Sequence, residues 1–408
     1  MSIPNANRPG SQLTPAGRIP AHWKYAKLGD VAEMFLNGGT PSRTVDEYWD
    51  GDIPWITGAD IIDNRIDNIR RYITQAGVKN SATNVINKGE LLVVTRTGVG
   101  KIAVAPCNIA VSQDITGVYL DKTRADVLFM LYLICQNFSY FKNCNQGTSI
   151  NGITRDDLTA FTFSLPPLCE QRKIAAVLSA WDEAAELTRK LITACRKRKK
   201  GLMQRLLTQR KSSEQGNWQY VKLEDVATDF CNGGTPSRQV EEYWNGNIPW
   251  ITGADVVDYR IDNIRRYITP EAVQNSATNI IRKDELLIVT RTGVGKIAVA
   301  PFDIAISQDL TGVYLDKTRA DVLFLLYFIS HNVSHLQNYN QGTSINGVTR
   351  ADLSSFPILL PPLSEQRNIA AILSLADEEI RLLEKELQHL QKQKKGLMQV
   401  LLTGKIRV

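Results

Sequence analysis

Residue types on which many enzymes and disulfide-stabilised proteins depend are scarce in this sequence. It contains four histidines and six cysteines among 408 residues. No apolar run approaches the roughly 18 residues that a membrane-spanning helix needs. The N-terminus is polar and rich in proline, where a secretory signal would require an apolar segment. We therefore expect a cytoplasmic protein that makes no contact with a membrane.

The sequence is internally duplicated. Residues 23–208 recur as residues 218–403 without insertion or deletion, and about two-thirds of the aligned positions are identical. A repeated unit of this length is a domain rather than one turn of a solenoid. Hydrophobic residues make up 43% of the chain and charged residues 22%, as in ordinary globular proteins. The sequence thus predicts two similar globular halves.

The duplication also tests the cysteines and histidines, because a site shared by both halves would appear twice. Each of them aligns with a different residue type in the other copy; Cys107, for example, aligns with Phe302. This pattern favours reduced, packed thiols over a disulfide framework or a zinc site. It also argues against a histidine-dependent reaction that both halves perform.

Each copy has the pattern of a mixed α/β (α+β) domain followed by one long helix. Short apolar runs such as residues 91–95, bounded by glycine, asparagine and proline, predict strands. Residues 126–136 and 321–331 are apolar over helical length and predict a buried helix. Proline pairs at 166–167 and 361–362 mark the end of each domain, because proline cannot continue a strand ladder.

Beyond each proline pair, apolar residues recur at alternating steps of four and three, which is the pattern of a coiled-coil seam. In the first copy the seam positions are Ile174, Leu178, Trp181, Ala185, Thr188, Ile192, Cys195, Lys199, Leu202 and Leu206. In the second copy they are Ile369, Leu373, Ala376, Ile380, Leu383, Leu387, Leu390, Lys394, Leu397 and Leu401. We expect the two helices to pair as an antiparallel coiled coil.

A short polar linker separates the first helix from the second domain, so the chain can begin the second domain nearby. We therefore predict a dumbbell with a pseudo-two-fold axis inside one polypeptide. The expected boundaries are a first domain at 1–168, a first helix at 169–209, the linker and second domain at 210–363, and a second helix with the C-terminal tail at 364–408.

Motifs that would indicate catalysis are missing. The repeated TGVGK at 97–101 lacks the earlier glycine and the following serine or threonine of a phosphate-binding loop. It is a glycine turn that either grips a nucleic-acid backbone or connects two strands. Repeated carboxylates such as Asp60 and Asp255 have no nucleophile or metal ligand beside them, which favours structural roles. We expect a non-catalytic chain that binds no metal or cofactor of its own.

Basic, amide and hydroxyl side chains in glycine-rich turns are better candidates for a binding site. Arginine and the amides can make paired hydrogen bonds to guanine and adenine, while serine, threonine and lysine hold phosphates. Any one of them alone could be an ordinary turn residue, so the prediction rests on the set. The candidates for DNA binding are Thr40, Ser42, Arg43, Arg71, Arg96, Lys101, Gln113, Thr148, Ser149 and Asn151, and in the second copy Thr235, Ser237, Arg238, Arg266, Arg291, Lys296, Gln308, Thr343, Ser344 and Asn346.

The overall charge permits a polyanionic partner. The net charge is +6 and the isoelectric point is near 8.9. Residues 189–211, at the end of the first long helix, include many lysines and arginines and no acidic residue. Such a run is either a solvated helix face or an electrostatic contact with nucleic acid.

Several of these segments resemble type I restriction-modification specificity subunits. LPPL-x-EQR, at 165–172 and 360–367, and KKGLMQ-x-LLT, at 199–208 and 394–403, resemble the conserved regions that open and close the long helices of that family. NGGTPSR, EYW, IPWITGAD and RTGVGKIAV resemble segments of its target-recognition domains, and LLTGKIRV resembles its C-terminal end. The resemblance implies two α/β target-recognition domains, each reading one half of a split DNA site.

The resemblance also implies the partners. These are double-stranded DNA, two methyltransferase subunits that use S-adenosylmethionine, and restriction subunits that use ATP, with no catalysis by this chain. Members usually carry two unrelated recognition domains, whereas this chain keeps the same candidate readers in both. We therefore predict two identical half-sites in an interrupted palindrome, each containing an adenine to be methylated. The alternatives are a DNA-recognition subunit that acts with a methyltransferase only, and a coiled-coil adaptor that binds proteins but no DNA.

Overall fold

The computed structural model describes residues 11–14, 17–144, 152–208, 218–339 and 347–408. The chain divides into two compact units. Unit 1 consists of residues 1–189 and 386–408, and unit 2 consists of residues 190–385. Each unit contains one globular domain together with a part of each long helix.

The first domain is followed directly by a long helix. Its strands are β1 (Ser11–Thr14), β2 (Gly17–Pro20), β3 (Lys24–Lys27), β4 (Ala32–Asn37), β5 (Trp49–Ile56), β6 (Arg71–Ile73), β7 (Asn84–Ile86), β8 (Leu91–Val94), β9 (Ile102–Val104), β10 (Ile109–Val111), β11 (Ile115–Leu120) and β12 (Thr162–Leu165). The helices are α1 (Leu28–Val31), α2 (Gln75–Lys79), α3 (Val127–Gln136), α4 (Phe138–Cys144), α5 (Arg155–Ala160) and the long α6 (Leu168–Thr208).

Two four-stranded sheets carry the first domain. One is antiparallel with the order β4-β11-β8-β9, and the other has the order β6-β5-β10-β7 with β5 and β10 parallel. Strand β8 is buried on both faces: Leu91 and Val93 join the core that contains α3, while Leu92 and Val94 join a second core. Side chains alternate along a strand, so one strand supplies both cores.

The second domain repeats this arrangement. Its strands are β13 (Gln219–Lys222), β14 (Ala227–Asn232), β15 (Ile248–Ile251), β16 (Arg266–Ile268), β17 (Asn279–Ile281), β18 (Leu286–Val289), β19 (Ile297–Val299), β20 (Ile304–Ile306), β21 (Leu310–Leu315) and β22 (Pro357–Leu360). Its helices are α7 (Pro270–Gln274), α8 (Val322–His331), α9 (Val333–Tyr339), α10 (Arg350–Ser354) and the long α11 (Leu363–Leu401). The sheet orders are β14-β21-β18-β19 and β16-β15-β20-β17.

The start of each long helix is fixed to its domain by the buried glutamine of the EQR motif. Gln171 has no exposed surface. Its amide donates to the carbonyls of Arg124 and Pro166, at 2.8 and 2.9 Å, and its side-chain oxygen accepts from the backbone NH of Asp126. Asp126 in turn caps α3. The motif therefore couples the long helix to the buried helix of the domain, and Gln366 makes the same bonds in the second copy.

Within unit 1, the start of α6 and the end of α11 run antiparallel. Asp182 pairs with Lys394 at 2.6 Å. Near the start of α6, Glu170 pairs with Arg407 of the C-terminal tail at 3.3 Å. Leu401 and Leu402 join the same core as α3 and the start of α6.

Unit 2 has the same antiparallel helix arrangement. Lys199 of α6 pairs with Asp377 of α11 at 2.6 Å. Met203 and Leu207, further along α6, share a core with Ile369, nearer the start of α11.

These observations confirm the predicted fold class, with two sheet-containing α/β domains and a long helix after each. Strand β8 and helices α3 and α8 lie where their sequence patterns indicated. Many predicted seam positions are buried, including Leu178 and Leu373, neither of which has any exposed surface. Within the described residues, no helix is long and apolar enough to cross a membrane.

Candidate DNA-recognition surface

The first candidate loop follows β4 and contains the NGGTPSR motif. A Cβ atom at Gly38 would collide with the backbone of Val111, and one at Gly39 with the backbone of Ala82, so the loop can approach the sheet only with glycine at both positions. Beyond the glycines, the Thr40 hydroxyl donates to the side-chain oxygen of Gln113. Two predicted reading residues from distant parts of the sequence are thus brought together.

The same loop carries the other two candidates of the motif, Ser42 and Arg43. The indole NH of Trp49 donates to the carbonyl of Ser42 at 2.9 Å. Arg43 is exposed and makes no ion pair or hydrogen bond with the described residues. Its guanidinium is therefore free to meet a phosphate or a base edge.

Arg71 lies over the ring of Trp55, with 4.8 Å between the guanidinium carbon and the ring centroid. Its side chain is one-third exposed, at 34%. A guanidinium stacked on an aromatic ring keeps its planar set of donors in a fixed orientation. Arg71 is therefore positioned before DNA arrives.

Arg71 also approaches the carboxylate of Asp60, at 3.6 Å, but the closer partner of that carboxylate is the neighbouring Arg70. It pairs with the buried Asp60 at 2.5 Å, and Asp60 also accepts hydrogen bonds from the backbone NH and the hydroxyl of Thr57 at 2.8 Å. Burial opposes ionisation of Asp60, but these bonds outweigh it and hold its pKa below the ordinary value. Asp60 thus has a structural role, since it joins Thr57 to Arg70. A structural role is what the sequence favoured for the repeated carboxylates.

The TGVGK turn connects β8 to β9. Gly98 and Gly100 have φ of +88° and +89°, in the left-handed region that favours glycine. The Lys101 ammonium donates to the carbonyl of Gly58 at 3.2 Å, so this lysine ties two loops together. Arg96, in contrast, is exposed and has no polar side-chain partner within the described residues. Of the two charged candidates in this turn, Arg96 is better placed for a DNA contact.

Six candidates lie outside the described residues, namely Thr148, Ser149, Asn151, Thr343, Ser344 and Asn346. The structure does describe the residues that follow these candidates in each copy, from 152 and from 347 onward. The backbone NH of Ile153 donates to the carbonyl of Thr95 at 2.6 Å, beside Arg96. Val348 makes the matching bond to Thr290 at 2.7 Å.

An open cleft of about 430 Å³ brings Arg43 and Arg71 to one place in the first domain. Its other lining residues are Asp46, Trp49 and Asp50, none of which the sequence singled out as a site residue. Two arginines, two carboxylates and an aromatic ring form a polar site with both donors and acceptors. The repeated EYW segment, which precedes Asp50, was the sequence signal for this site.

The second domain keeps these supports. Thr235 bonds to Gln308, and Lys296 donates to the carbonyl of Gly253 at 3.2 Å. Arg266 lies 5.3 Å from the ring centroid of Trp250. These contacts of the described candidates are therefore repeated in position as well as in sequence.

Sequence patterns did not reveal that two lysines of the long helices form ion pairs. Lys199 and Lys394 were assigned to the apolar seam, but each ammonium binds an aspartate and lies over a tyrosine ring. The aspartates are Asp377 and Asp182. The repeated identity of all these residues in the two copies was the signal that could have found them.

Two repeated α/β domains that present arginines, amides and hydroxyls from glycine turns define a two-domain DNA-binding protein. The chain belongs to the family described as the type I restriction modification DNA specificity domain, whose model matches residues 20–195 and 215–392. It is accordingly a non-catalytic specificity subunit that recognises DNA sequence. The protein-only adaptor alternative is thereby set aside.

Named relatives and solved structures agree. The putative type I restriction enzyme MjaX specificity subunit of Methanocaldococcus jannaschii is 28% identical, with 97% of this chain and 96% of the relative covered. The EcoR124I/EcoR124II specificity subunit of Escherichia coli is 30% identical over 41% of this chain and 42% of its own length. The crystal structure of a type I restriction-modification S subunit from M. genitalium has a TM-score of 0.64 at 17% identity, over 93% of this chain and 96% of that one. The structural likeness shows a shared fold.

Proposed function

We propose that this chain reads a bipartite DNA site in which both domains recognise the same short sequence, each on the opposite strand. The observation that carries the proposal is the repetition of the candidate readers together with their supporting contacts. The Thr40–Gln113 bond, the stacked Arg71 and the tethered Lys101 all have counterparts in the second domain. Two surfaces with the same donors and acceptors in the same arrangement favour the same base pairs.

The arrangement of the long helices supports a palindromic DNA target. In each unit, the segments of α6 and α11 run antiparallel, and each domain is followed by its own long helix. Dimeric DNA-binding proteins, which present the same recognition surface twice, read palindromic sites. The target expected from this argument is an interrupted palindrome with one adenine for methylation in each half.

The experiment is genome-wide mapping of adenine methylation in cells that hold the full chain and its methyltransferase partner, with a strain lacking this chain as reference. One interrupted palindrome that disappears in the reference strain is expected. Two unrelated half-sites would refute the repeated-reader proposal. Methylation unaffected by loss of the chain would refute DNA recognition by it.

Single-arginine variants assign the half-sites. Arg96→Ala should relax selection in one half-site, and Arg291→Ala in the other, by roughly tenfold if each arginine contacts one base pair. Arg172→Ala is the matched control, because Arg172 is an exposed arginine of α6 that is not one of the candidate DNA-binding residues. Relaxation of both half-sites by either single variant would contradict the assignment of one domain to each half.

We further infer that two methyltransferase subunits bind at equivalent positions on the long helices, and that restriction subunits join this assembly. Leu187 and Leu382 occupy the same position in the two copies and are 55% and 54% exposed. Exposed leucines on a polar helix are typical of a protein interface. In this arrangement S-adenosylmethionine and ATP are used by the partner subunits.

Substitution tests this stoichiometry. Leu187→Asp or Leu382→Asp alone should reduce the complex from two methyltransferase subunits to one, and the double variant should remove both, as measured by native mass spectrometry. Leu13→Asp is the control, since Leu13 is a more exposed leucine, at 81%, that lies outside the helices. Full binding of two subunits by the double variant would place the interface elsewhere.

A further inference from the structure

The cleft formed by Arg43, Asp46, Trp49, Asp50 and Arg71 holds carboxylates at a surface proposed to face DNA. A carboxylate is repelled by phosphates, so it weakens binding unless it accepts a hydrogen bond from a base. Cytosine presents such a donor in the major groove at its N4 amino group. Asp46 and Asp50 are both exposed and have no hydrogen-bond or ion-pair partner among the described residues.

The floor of the cleft is rigidly held. Trp49 packs edge-on against Trp55, with 5.4 Å between ring centroids and an interplanar angle of 88°. A Cβ at Gly51 would collide with the carbonyl of Ile73, so the segment after Asp50 lies directly on strand β6. Asp50 is therefore an exposed side chain on an anchored backbone. Such a residue pays little conformational entropy when it binds a base.

The second domain repeats this floor. Trp244 packs against Trp250 at 5.1 Å and 88°. A Cβ at Gly246 would collide with the carbonyl of Ile268. The residue between Trp244 and Gly246 is thus held between the same two anchors.

Only one of the replacements among the polar groups of the two sites changes the chemical type of the side chain. Both arginines are kept as Arg238 and Arg266, and Asp46 is replaced by another carboxylate, Glu241. Asp50, however, is replaced by Asn245. The backbone differs at the same position, because Asp50 has φ of +57° and Asn245 has φ of −108°.

A carboxylate only accepts hydrogen bonds, whereas a carboxamide both donates and accepts. Aspartate therefore suits the N4 amino group of cytosine, and asparagine suits the paired N6 donor and N7 acceptor of adenine. We propose that Asp50 and Asn245 read the same position in the two half-sites and select different bases, cytosine in the first and adenine in the second. This inference rests on the proposed function and refines it: the interrupted palindrome is broken at a single position.

The test exchanges the two side chains in the full chain, assembled with its methyltransferase partner. A library of bipartite sites, randomised in both halves, is methylated and sequenced. Asp50→Asn should convert the cytosine of the first half-site to adenine and make the site symmetric, while Asn245→Asp should convert the adenine of the second half-site to cytosine. Each change of preference should be about tenfold or more, the discrimination that one good pair of base contacts gives.

The chain offers a matched control two residues away. Asp52→Asn removes the same charge from the same segment, but Asp52 does not line the cleft. It should leave the base preference unchanged, although it can raise affinity for every sequence as Asp50→Asn does, because both remove repulsion from phosphates. Asparagine tolerates a positive φ as well as aspartate does, so Asp50→Asn should retain the wild-type melting temperature.

The outcomes separate this inference from the proposed function. Half-sites that are identical at every position in the wild type, or that keep their preference in Asp50→Asn, would overturn the inference and leave bipartite recognition standing. The same preference change in Asp52→Asn would also overturn it, since charge alone would then explain the effect. A wild-type chain that selects no sequence in either half would refute the proposed function itself.

Discussion

Lys199 and Lys394 of the long helices make the same kinds of contact in different surroundings. Lys199 in unit 2 and Lys394 in unit 1 each bind an aspartate at 2.6 Å. The Lys199 side chain is 9% exposed, whereas that of Lys394 is 18% exposed. The cost of an unpaired charge rises with burial, so the two pairs should contribute unequally to stability.

The aromatic partners differ as well. Lys199 contacts two tyrosines, with its ammonium 4.4 Å from the ring centroid of Tyr259 and 5.2 Å from that of Tyr327. Lys394 lies over Tyr132 alone among the described residues, at 4.8 Å. The position equivalent to Tyr259 is Asn64.

This comparison shows that the two copies match more closely in their predicted DNA-binding residues than in the packing around the lysines. The DNA-binding residues predicted from the sequence are identical in the two copies, while the second lysine site has a tyrosine ring that the first does not have. The rings and aspartates join each long helix to its domain, because Tyr327 also donates to Asp377 at 2.7 Å and Tyr132 to Asp182 at 2.7 Å.

The largest expected difference comes from removing the aspartates. Asp377→Asn leaves the more buried lysine without its carboxylate and should lower the free energy of unfolding by about 3 kcal/mol. Asp182→Asn should cost about 1 to 2 kcal/mol, because water reaches Lys394 more easily. Chemical denaturation of the full-length variants measures both values.

The control for these variants is Glu378→Gln. Glu378 makes an exposed ion pair with Arg381 on the same helix as Asp377. It should leave the denaturation midpoint unchanged within error, since exposed pairs contribute little. Equal losses for Asp377→Asn and Asp182→Asn would show that burial of the lysine does not decide the effect.

A smaller difference is expected from the extra ring. Tyr259→Asn removes one cation–π contact and should cost about 1 kcal/mol. Part of the loss is offset because Tyr259 has φ of +65°, where asparagine is better tolerated than tyrosine. Thermal unfolding of the full chain provides the measurement.

The reciprocal change sharpens this result. Asn64→Tyr places a bulky residue at φ of +61° beside a lysine that is less buried, so it should destabilise unit 1 rather than strengthen it. A stabilised Asn64→Tyr variant would mean that an added ring stabilises the lysine site despite the positive φ and the lower burial of Lys394. A stabilised Tyr259→Asn variant would mean that backbone strain exceeds the cation–π contribution.

The periodic parts of the fold could be predicted because periodicity is local. Strand β8 is a short apolar run that fills two cores, and α3 is apolar over ten residues behind an aspartate cap. The seam positions follow from their spacing along one helix. The polar role of Lys199 could not be obtained in this way, because its aspartate lies 178 positions away in the sequence.

In the candidate site too, local features could be predicted from the sequence and contacts between distant segments could not. Arg71 and Arg43 were identified from residue type and turn context, and the structure places both in one cleft. Asp50 was missed because its position depends on the irregular pairing of β5 with β6, which has no repeat in the sequence. Lys101 was treated as a reader, but the bond to Gly58 depends on how two separate loops pack.

The smallest expected effect is on the alkaline titration of the tyrosines at the two lysine sites. Burial raises the pKa of Tyr132, Tyr259 and Tyr327 above the ordinary value of 10.0, and the neighbouring Asp182 or Asp377 raises it further. A pKa that is higher in the folded state means that the folded chain holds its protons longer. The resulting stability is present below pH 10 and is lost as the pH rises through the folded pKa.

Absorbance at the tyrosinate band should therefore show a late step that accompanies unfolding of the full chain. Tyr132→Phe should remove one tyrosine from that step, and Tyr259→Phe together with Tyr327→Phe should remove two. The difference between the lysine sites is then measured as the number of tyrosine protons released late, one at the first site and two at the second. This number does not depend on any difference in stability. Ionisation of all 13 tyrosines before the chain unfolds would contradict the burial of these rings.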